Sequence, residues 1–252
     1  MPTLGLGVWA MRDGAETENA VRWALDTGYR LIDTAKLYRN ERSVGRAVRS
    51  SGIAREEIFV TTKLWPTDFG QVEHAFEGSL KRLDIGYVDL YLIHFPVAFI
   101  PGFGAVRRRV WSTFEKLYAL KLVRAIGVSN YTASNVDETI SAGTIAPAVN
   151  QIKMNPFVYD KGLIAFCQSR RIAVEAYSPL TRARRLQHPL INRIAASHGR
   201  SPAQVLIRWA LQHGAIVIPK SSHRERIVEN ARVFDFELSP EETDALNRLS
   251  SR

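Results

Sequence analysis

Residues 31–41 read LIDTAKLYRNE. Three residues form a short run that closes on an acid, Asp33, and Tyr38 follows five positions later. A short apolar run with no helical repeat reads as a strand buried on both faces, which puts Asp33 at its C-terminal end. An acid and a phenol at a strand end are either a structural hydrogen bond or half of a proton-transfer site. The rest of the chain decides between the two.

Similar runs recur along the whole sequence. Strands are expected at Leu4–Gly7, Leu31–Asp33, Ile58–Thr62, Val88–Leu92, Val123–Val128, Val149–Ile152, Ile172–Ala176 and Ile216–Ile218. Amphipathic helices alternate with them. In AETENAVRWALDTG, residues 15–28, Ala20, Trp23, Ala24 and Thr27 share one stripe and Gly28 marks the stop. Ser201 reads as an N-cap with Pro202 at the first helical position, and Ser239 with Glu242 reads as a capping box. Eight strands, each followed by a helix, predict one (β/α)8 barrel domain over residues 1–252. An open doubly wound sheet is the alternative.

Composition narrows the class. The chain has 252 residues, 46% hydrophobic and 23% charged, which is enough for a sizeable core. Its single cysteine, Cys167, excludes an intramolecular disulfide framework and reads as a buried thiol in a helix. No apolar run reaches spanning length and the start shows no signal-peptide pattern, so the expectation is a cytoplasmic protein with no membrane partner. The formal net charge of +9 attracts phosphates. Nucleic acid is one candidate, although no zinc-finger, basic-heptad or aromatic RNA-binding signature accompanies the charge, and a phosphorylated cofactor is the other; charge alone does not choose between them. Residues 5–10, GLGVWA, match G-x-G-x-x-A, but only four residues precede the match and AMRDG after it reads as a turn. A Rossmann fingerprint needs a full strand before and a helix after, so that reading is set aside.

Polar residues collect at one end of the predicted strands. Asp33 ends the second strand and Tyr38 follows it. Lys63 follows the third in FVTTKLW, and His94 the fourth in VDLYLIHFP. Ser129 and Asn130 follow the fifth in AIGVSNY. Gln151 ends the sixth, Tyr177 and Ser178 follow the seventh in AYSPL, and Lys220 and Ser221 follow the eighth in VIPKS. In a barrel these C-terminal ends form one face, the face that carries barrel active sites. Singly, each residue has a plainer reading, such as a helix cap, a packed phenol or a core histidine.

LIDTAKLYRNE, TTKLW, VDLYLIHFP, IGVSNY, AYSPL and IPKSSHRERIVENARVFDF together resemble the aldo-keto reductases, most nearly the short-loop bacterial aldehyde and diketogluconate types. The resemblance runs from Leu4 to about Leu249. It implies a barrel that binds NADP(H) without a Rossmann fold, with NADH weaker, and that reduces aldehydes or ketones. Its catalytic tetrad falls on Asp33, Tyr38, Lys63 and His94.

Those residue types suit the chemistry. Tyr38 would protonate the nascent alkoxide. The Lys63 ammonium would lower its phenol from about 10 toward working pH. Asp33 would keep Lys63 charged, and His94 would orient the carbonyl oxygen. The resemblance also assigns Ser129, Asn130 and Gln151 to the nicotinamide amide, and Tyr177, beside Ser178, to its ring. Lys220, Ser221, Ser222 and Arg226 fall to the 2′-phosphate, and Glu229 and Asn230 to the adenine. Trp9, Trp65 and Phe95, with Phe99 and Phe103, are candidate walls of the substrate pocket. Arg107, Arg108 and Arg109, and Arg182, Arg184 and Arg185, are candidate charges near its mouth.

Three departures from the family pattern accompany the match. NQIKMNPF lacks the usual aromatic or cysteine and then histidine, and both the N-terminal hairpin and the long C-terminal loop are expected to be truncated. A monomeric carbonyl reductase acting on a small molecule is the leading reading. A cofactor-binding regulatory or interaction module on the same barrel, like potassium-channel β subunits, is the alternative, and a nucleic-acid binder is a third.

Overall fold

The computed structural model describes residues 1–97 and 103–251. Eight strands pair in parallel and in sequence order: β1 (Leu6–Gly7), β2 (Leu31–Asp33), β3 (Phe59–Leu64), β4 (Val88–Ile93), β5 (Val123–Ser129), β6 (Val149–Lys153), β7 (Ala173–Tyr177) and β8 (Ile216–Val217). Backbone hydrogen bonds join the two ends. Val217 N donates to Thr3 O at 2.8 Å, Gly5 N to Val217 O at 2.9 Å and Gly7 N to Pro219 O at 3.1 Å. The sheet therefore closes, and the open doubly wound alternative falls.

The helices are α1 (Ala15–Asp26), α2 (Glu41–Arg49), α3 (Val72–Leu83), α4 (Phe103–Ala119), α5 (Ala133–Ala142), α6 (Lys161–Ser169), α7 (Pro189–Ser197), α8 (Pro202–Gln212), α9 (Arg224–Ala231) and α10 (Pro240–Asn247). Ser201 caps α8 and Ser239 caps α10, each accepting from the backbone N–H three residues on. The period-2 alternation of each strand then divides the core. Leu31, Ile216 and Ile218 pack inside the barrel, as do Leu90, Leu92 and Val149. Ile32, Val60, Tyr91, Ile126 and Val174 face the other way into the helix layer. Cys167 is buried in α6, as expected.

The glycines of GLGVWA serve this closure and not a phosphate. A Cβ on Gly5 would lie 2.4 Å from Leu31 Cγ, and one on Gly7 would lie 3.0 Å from Ile218 O. Strand β3 runs to Leu64, two residues beyond the expected end. Lys63 therefore sits within the strand, paired with Leu92 of β4, and not in the loop after it. Gln151 likewise lies inside β6, and Ser129 is the last residue of β5.

Candidate active site

Asp33, at the end of β2, is buried inside the barrel and meets Lys63 of β3, which has no exposed surface. Lys63 Nζ donates to Asp33 Oδ1 at 2.7 Å, to Thr34 O at 2.8 Å and to Tyr38 Oη at 3.3 Å. An ammonium buried without such partners would be lost as a charge. Here burial works to lower the Lys63 pKa, but Asp33 and Tyr38 outweigh it and the net direction is upward.

Tyr38 closes a single 3-10 turn, Lys36–Tyr38, that follows β2. Two contacts hold that turn. Lys36 Nζ reaches Asp68 Oδ2 at 2.6 Å. Buried Asn40 accepts from Thr34 Oγ1 at 2.8 Å and donates to Val8 O and Met11 O at 2.9 and 3.2 Å. The turn is thus tied to the loop after β1, and the phenol is held in place before any ligand arrives. Asn40 was not singled out in the sequence, where it reads as an ordinary residue before α2.

The Tyr38 phenol shifts away from working pH and not toward it. Burial pushes the phenol up to about 12, against the opposing pull of Lys63, so the net shift is away from neutrality. The lysine acts with the expected sign, but desolvation is larger.

His94 follows β4 and is anchored through its backbone. Its N–H donates to Leu64 O at 3.0 Å, and its carbonyl accepts from Asn130 Nδ2 at 2.9 Å. The imidazole stands edge-on to Tyr38 (centroids 5.6 Å apart) and to Trp65 (5.1 Å). Its Nδ1 is buried with no partner among the described residues. Burial and then Lys63 push the ring pKa down to about 3, so the imidazole is neutral at neutral pH.

These groups lie at the floor of a cavity of about 810 Å³ on the C-terminal face of the barrel. Trp9, Leu37, Trp65 and Phe95 line it, and three of these are among the expected pocket walls. Phe103 is not a wall but packs against Phe69, with centroids 6.4 Å apart. Phe99 lies outside the described residues. Ser129, Asn130, Gln151, Tyr177, Ser178, Lys220, Ser221, Ser222, Arg226, Glu229 and Asn230 line the same cavity, so every residue assigned to the cofactor reaches one groove.

Several of these side chains already have protein partners. Asn130 adopts a left-handed backbone at φ 63°. It accepts from Tyr177 Oη at 2.8 Å, and its Nδ2 donates to Ser129 Oγ at 3.0 Å as well as to His94 O. Gln151 Nε2 donates to Asp33 Oδ2 at 2.8 Å and to Glu175 Oε2 at 2.7 Å. Its Oε1 accepts no hydrogen bond among the described residues. Glu175 of β7 was missed, although its signal was present as a lone carboxylate inside the apolar run IAVEAY.

Lys220, four residues before α9, and Arg226, in its first turn, are exposed and form no ion pair among the described residues. Two cations beside free helix N–H groups fit a phosphate monoester, with Arg able to bind it bidentately. The donor set at this end of the groove therefore fits NADP(H). The basic clusters divide. Arg182 lines the cavity, with its guanidinium 4.4 Å above the Trp9 ring. Arg107 and Arg108 instead pair with Glu138 on α5, and Arg185 lies over Phe157. Arg107, Arg108 and Arg109 do not line the cavity.

Comparison with known proteins agrees with this geometry. Residues 3–251 match the model of the aldo/keto reductase family. The chain is 47% identical to the 9,11-endoperoxide prostaglandin H2 reductase of Trypanosoma cruzi, covering 99% of this chain and 88% of that one. It is 44% identical to the glyoxal reductase of Bacillus subtilis, over 99% and 89%. Among solved structures, the Bombyx mori aldo-keto reductase in complex with NADP superposes with a TM-score of 0.90 at 37% identity, covering 100% of this chain and 90% of that one. The chain belongs to the aldo/keto reductase family. It is an NADP(H)-dependent oxidoreductase that reduces carbonyl groups.

Proposed function

We propose that Tyr38 is the proton donor of this reductase and that Asp33, Lys63 and His94 set up its reaction. One observation carries the reading: a fully buried ammonium joins a carboxylate to a phenol at the floor of the cavity. NADPH, when bound, would supply the hydride for the carbonyl carbon. Tyr38, protonated throughout the neutral range, gives its proton to the carbonyl oxygen, and the phenolate left behind lies 3.3 Å from Lys63 Nζ. Asp33 keeps that ammonium charged and in place. Neutral His94 orients the carbonyl oxygen by a hydrogen bond and leaves Lys63 as the positive charge beside Tyr38.

Ser129, Asn130 and Gln151 would hold the nicotinamide carboxamide, and Tyr177 and Ser178 its ring. Gln151 contributes Oε1, the amide atom it has left. Lys220, Ser221, Ser222 and Arg226 take the 2′-phosphate, and Glu229 and Asn230 the adenine. Trp9, Leu37, Trp65 and Phe95 make the substrate end apolar. Aldehydes and small dicarbonyls fit it, a class that includes the substrate named for the glyoxal reductase relative. We infer that the chain acts as one domain and as a monomer, in a reducing compartment such as the cytoplasm, which its free cysteine suits. Size-exclusion chromatography with light scattering checks the oligomeric state.

Tyr38→Phe tests the central assignment. It keeps the ring and removes the proton, so kcat for a simple aldehyde falls by about 10²-fold or more while NADPH binding is retained. Wild-type turnover in this variant removes Tyr38 from the role.

A further inference from the structure

Glu175 is the least expected residue in the barrel. It stands on β7 between Ala173 and Tyr177 on the inward face, it has no exposed surface, and its Oε1 has no hydrogen-bond partner among the described residues. A buried carboxyl with an unsatisfied oxygen destabilises the fold relative to an apolar residue of the same shape. Burial, then the neighbouring Asp33 carboxylate, pushes its pKa up to about 8. Its one side-chain hydrogen bond among the described residues is with Gln151, whose Nε2 donates at 2.7 Å to Glu175 Oε2 and at 2.8 Å to Asp33 Oδ2.

That contact constrains Gln151. A primary amide has two N–H donors and one oxygen, and its two ends are nearly equal in shape. With Asp33 alone, one N–H is engaged and the other is free. With Glu175 as well, both donors are committed to carboxyls inside the barrel. A flipped amide would set Oε1 against the Asp33 carboxylate and give up the N–H that Glu175 Oε2 accepts. Gln151 also lines the cavity, so Oε1 is the amide atom it can present to a ligand there.

We propose that Glu175 is a positioning residue for the reduction, acting through Gln151. By accepting the second N–H it locks the amide with nitrogen inward and carbonyl oxygen toward the groove, as an acceptor for the carboxamide N–H of the nicotinamide. The inference rests on the assignment of Gln151 to that carboxamide. The nicotinamide is thereby oriented by a chain of contacts that begins at Glu175, two residues before Tyr177 on the same strand.

The test is a double-mutant cycle on the full chain, with Glu175→Met, Glu175→Gln, Gln151→Leu and the double variant Gln151→Leu/Glu175→Met. Two quantities are read: the NADPH Kd from quenching of protein fluorescence, and the single-turnover rate of hydride transfer to a simple aldehyde. Glu175→Met is expected to weaken NADPH and slow transfer by about tenfold, the factor that corresponds to ~1.4 kcal/mol. Glu175→Gln, whose side-chain carbonyl can accept the same N–H, recovers most of that loss. In the Gln151→Leu background, Glu175→Met adds less than about a further twofold.

Additive losses, or a Glu175→Gln variant as impaired as Glu175→Met, would overturn the proposal and leave Glu175 as packing. A strong effect of Gln151→Leu with none from Glu175→Met also overturns it, while leaving Gln151 in its cofactor role. No effect of Gln151→Leu on NADPH removes that role itself and the inference with it. If the methionine does not fold, Glu175→Ala removes the same acceptor without overpacking and carries the same expectations.

Discussion

The Lys63 ammonium lies 3.3 Å from the Tyr38 hydroxyl and 4.8 Å from the centroid of its ring. The charge thus meets the phenol at its oxygen, where it favours the ionised form. Burial opposes it and holds the phenol near 12. Removing the ammonium by Lys63→Met takes away the charge that lowers the phenol, so its pKa rises further. In alcohol oxidation Tyr38 must act as a base, and the activity that grows at high pH then begins at higher pH in the variant. Carbonyl reduction falls by about 10²-fold. A pH–rate profile of alcohol oxidation checks the direction, and a limb displaced toward neutrality rejects it.

Arg226 and Lys220 face the groove without carboxylate partners. Losing one charge-assisted hydrogen bond is worth about 1.5–3 kcal/mol. Arg226→Ala is therefore expected to weaken NADPH by roughly tenfold or more and to leave NADH nearly unchanged. Fluorescence titration with both cofactors measures the ratio. Equal losses for the two would place Arg226 away from the 2′-phosphate.

His94 ties stability to acid pH. Its folded pKa is depressed to about 3 from an ordinary 6.5, because of burial and Lys63. Below pH 6.5 the unfolded chain takes up a proton that the folded chain refuses. The stability this neutral ring provides is complete above 6.5 and is lost as pH falls toward 3. The slope from one such group is at most about 1.4 kcal/mol per pH unit. Denaturant midpoints between pH 7 and 4 should fall less steeply in His94→Gln, and an unchanged slope would place the titration elsewhere.

Gly45 sets how closely α2 approaches α3. A Cβ there would lie 1.8 Å from the carbonyl oxygen of Leu83, a backbone atom that cannot rotate aside. Gly45→Ala should lower stability by about 1–3 kcal/mol or more, the scale of overpacking. Gly70→Ala is the control, since a Cβ there meets nothing within 4 Å. Thermal melts of both variants decide the point, and equal Tm values would contradict the close packing.

Much of this was legible in the chain itself. Apolar runs between amphipathic stretches determine which segments are strands and which are helices, because period 2 and period 3.6 bury different faces. Ser201 and Ser239 mark their helix starts through local backbone hydrogen bonds, which need no distant partner. The types at the strand ends, Asp33, Tyr38, Lys63 and His94, point to proton transfer before any distance is known. Tertiary structure decided what depends on distance and burial. Whether Lys63 sits in a strand or a loop follows from the register of β3 on β4, a property of two strands together. The direction of the Tyr38 shift follows from desolvation, which only the closed barrel imposes. Arg107 and Arg108 turn to Glu138 because α4 and α5 lie side by side, so their place in sequence after His94 did not place them at the pocket. The bridge from Asp33 through Gln151 to Glu175 joins three strands, and its first step spans 118 residues of sequence. No local pattern encodes such a bridge, because the two carboxyls are neighbours only once the sheet has curled until β2 faces β6 and β7 across the barrel interior.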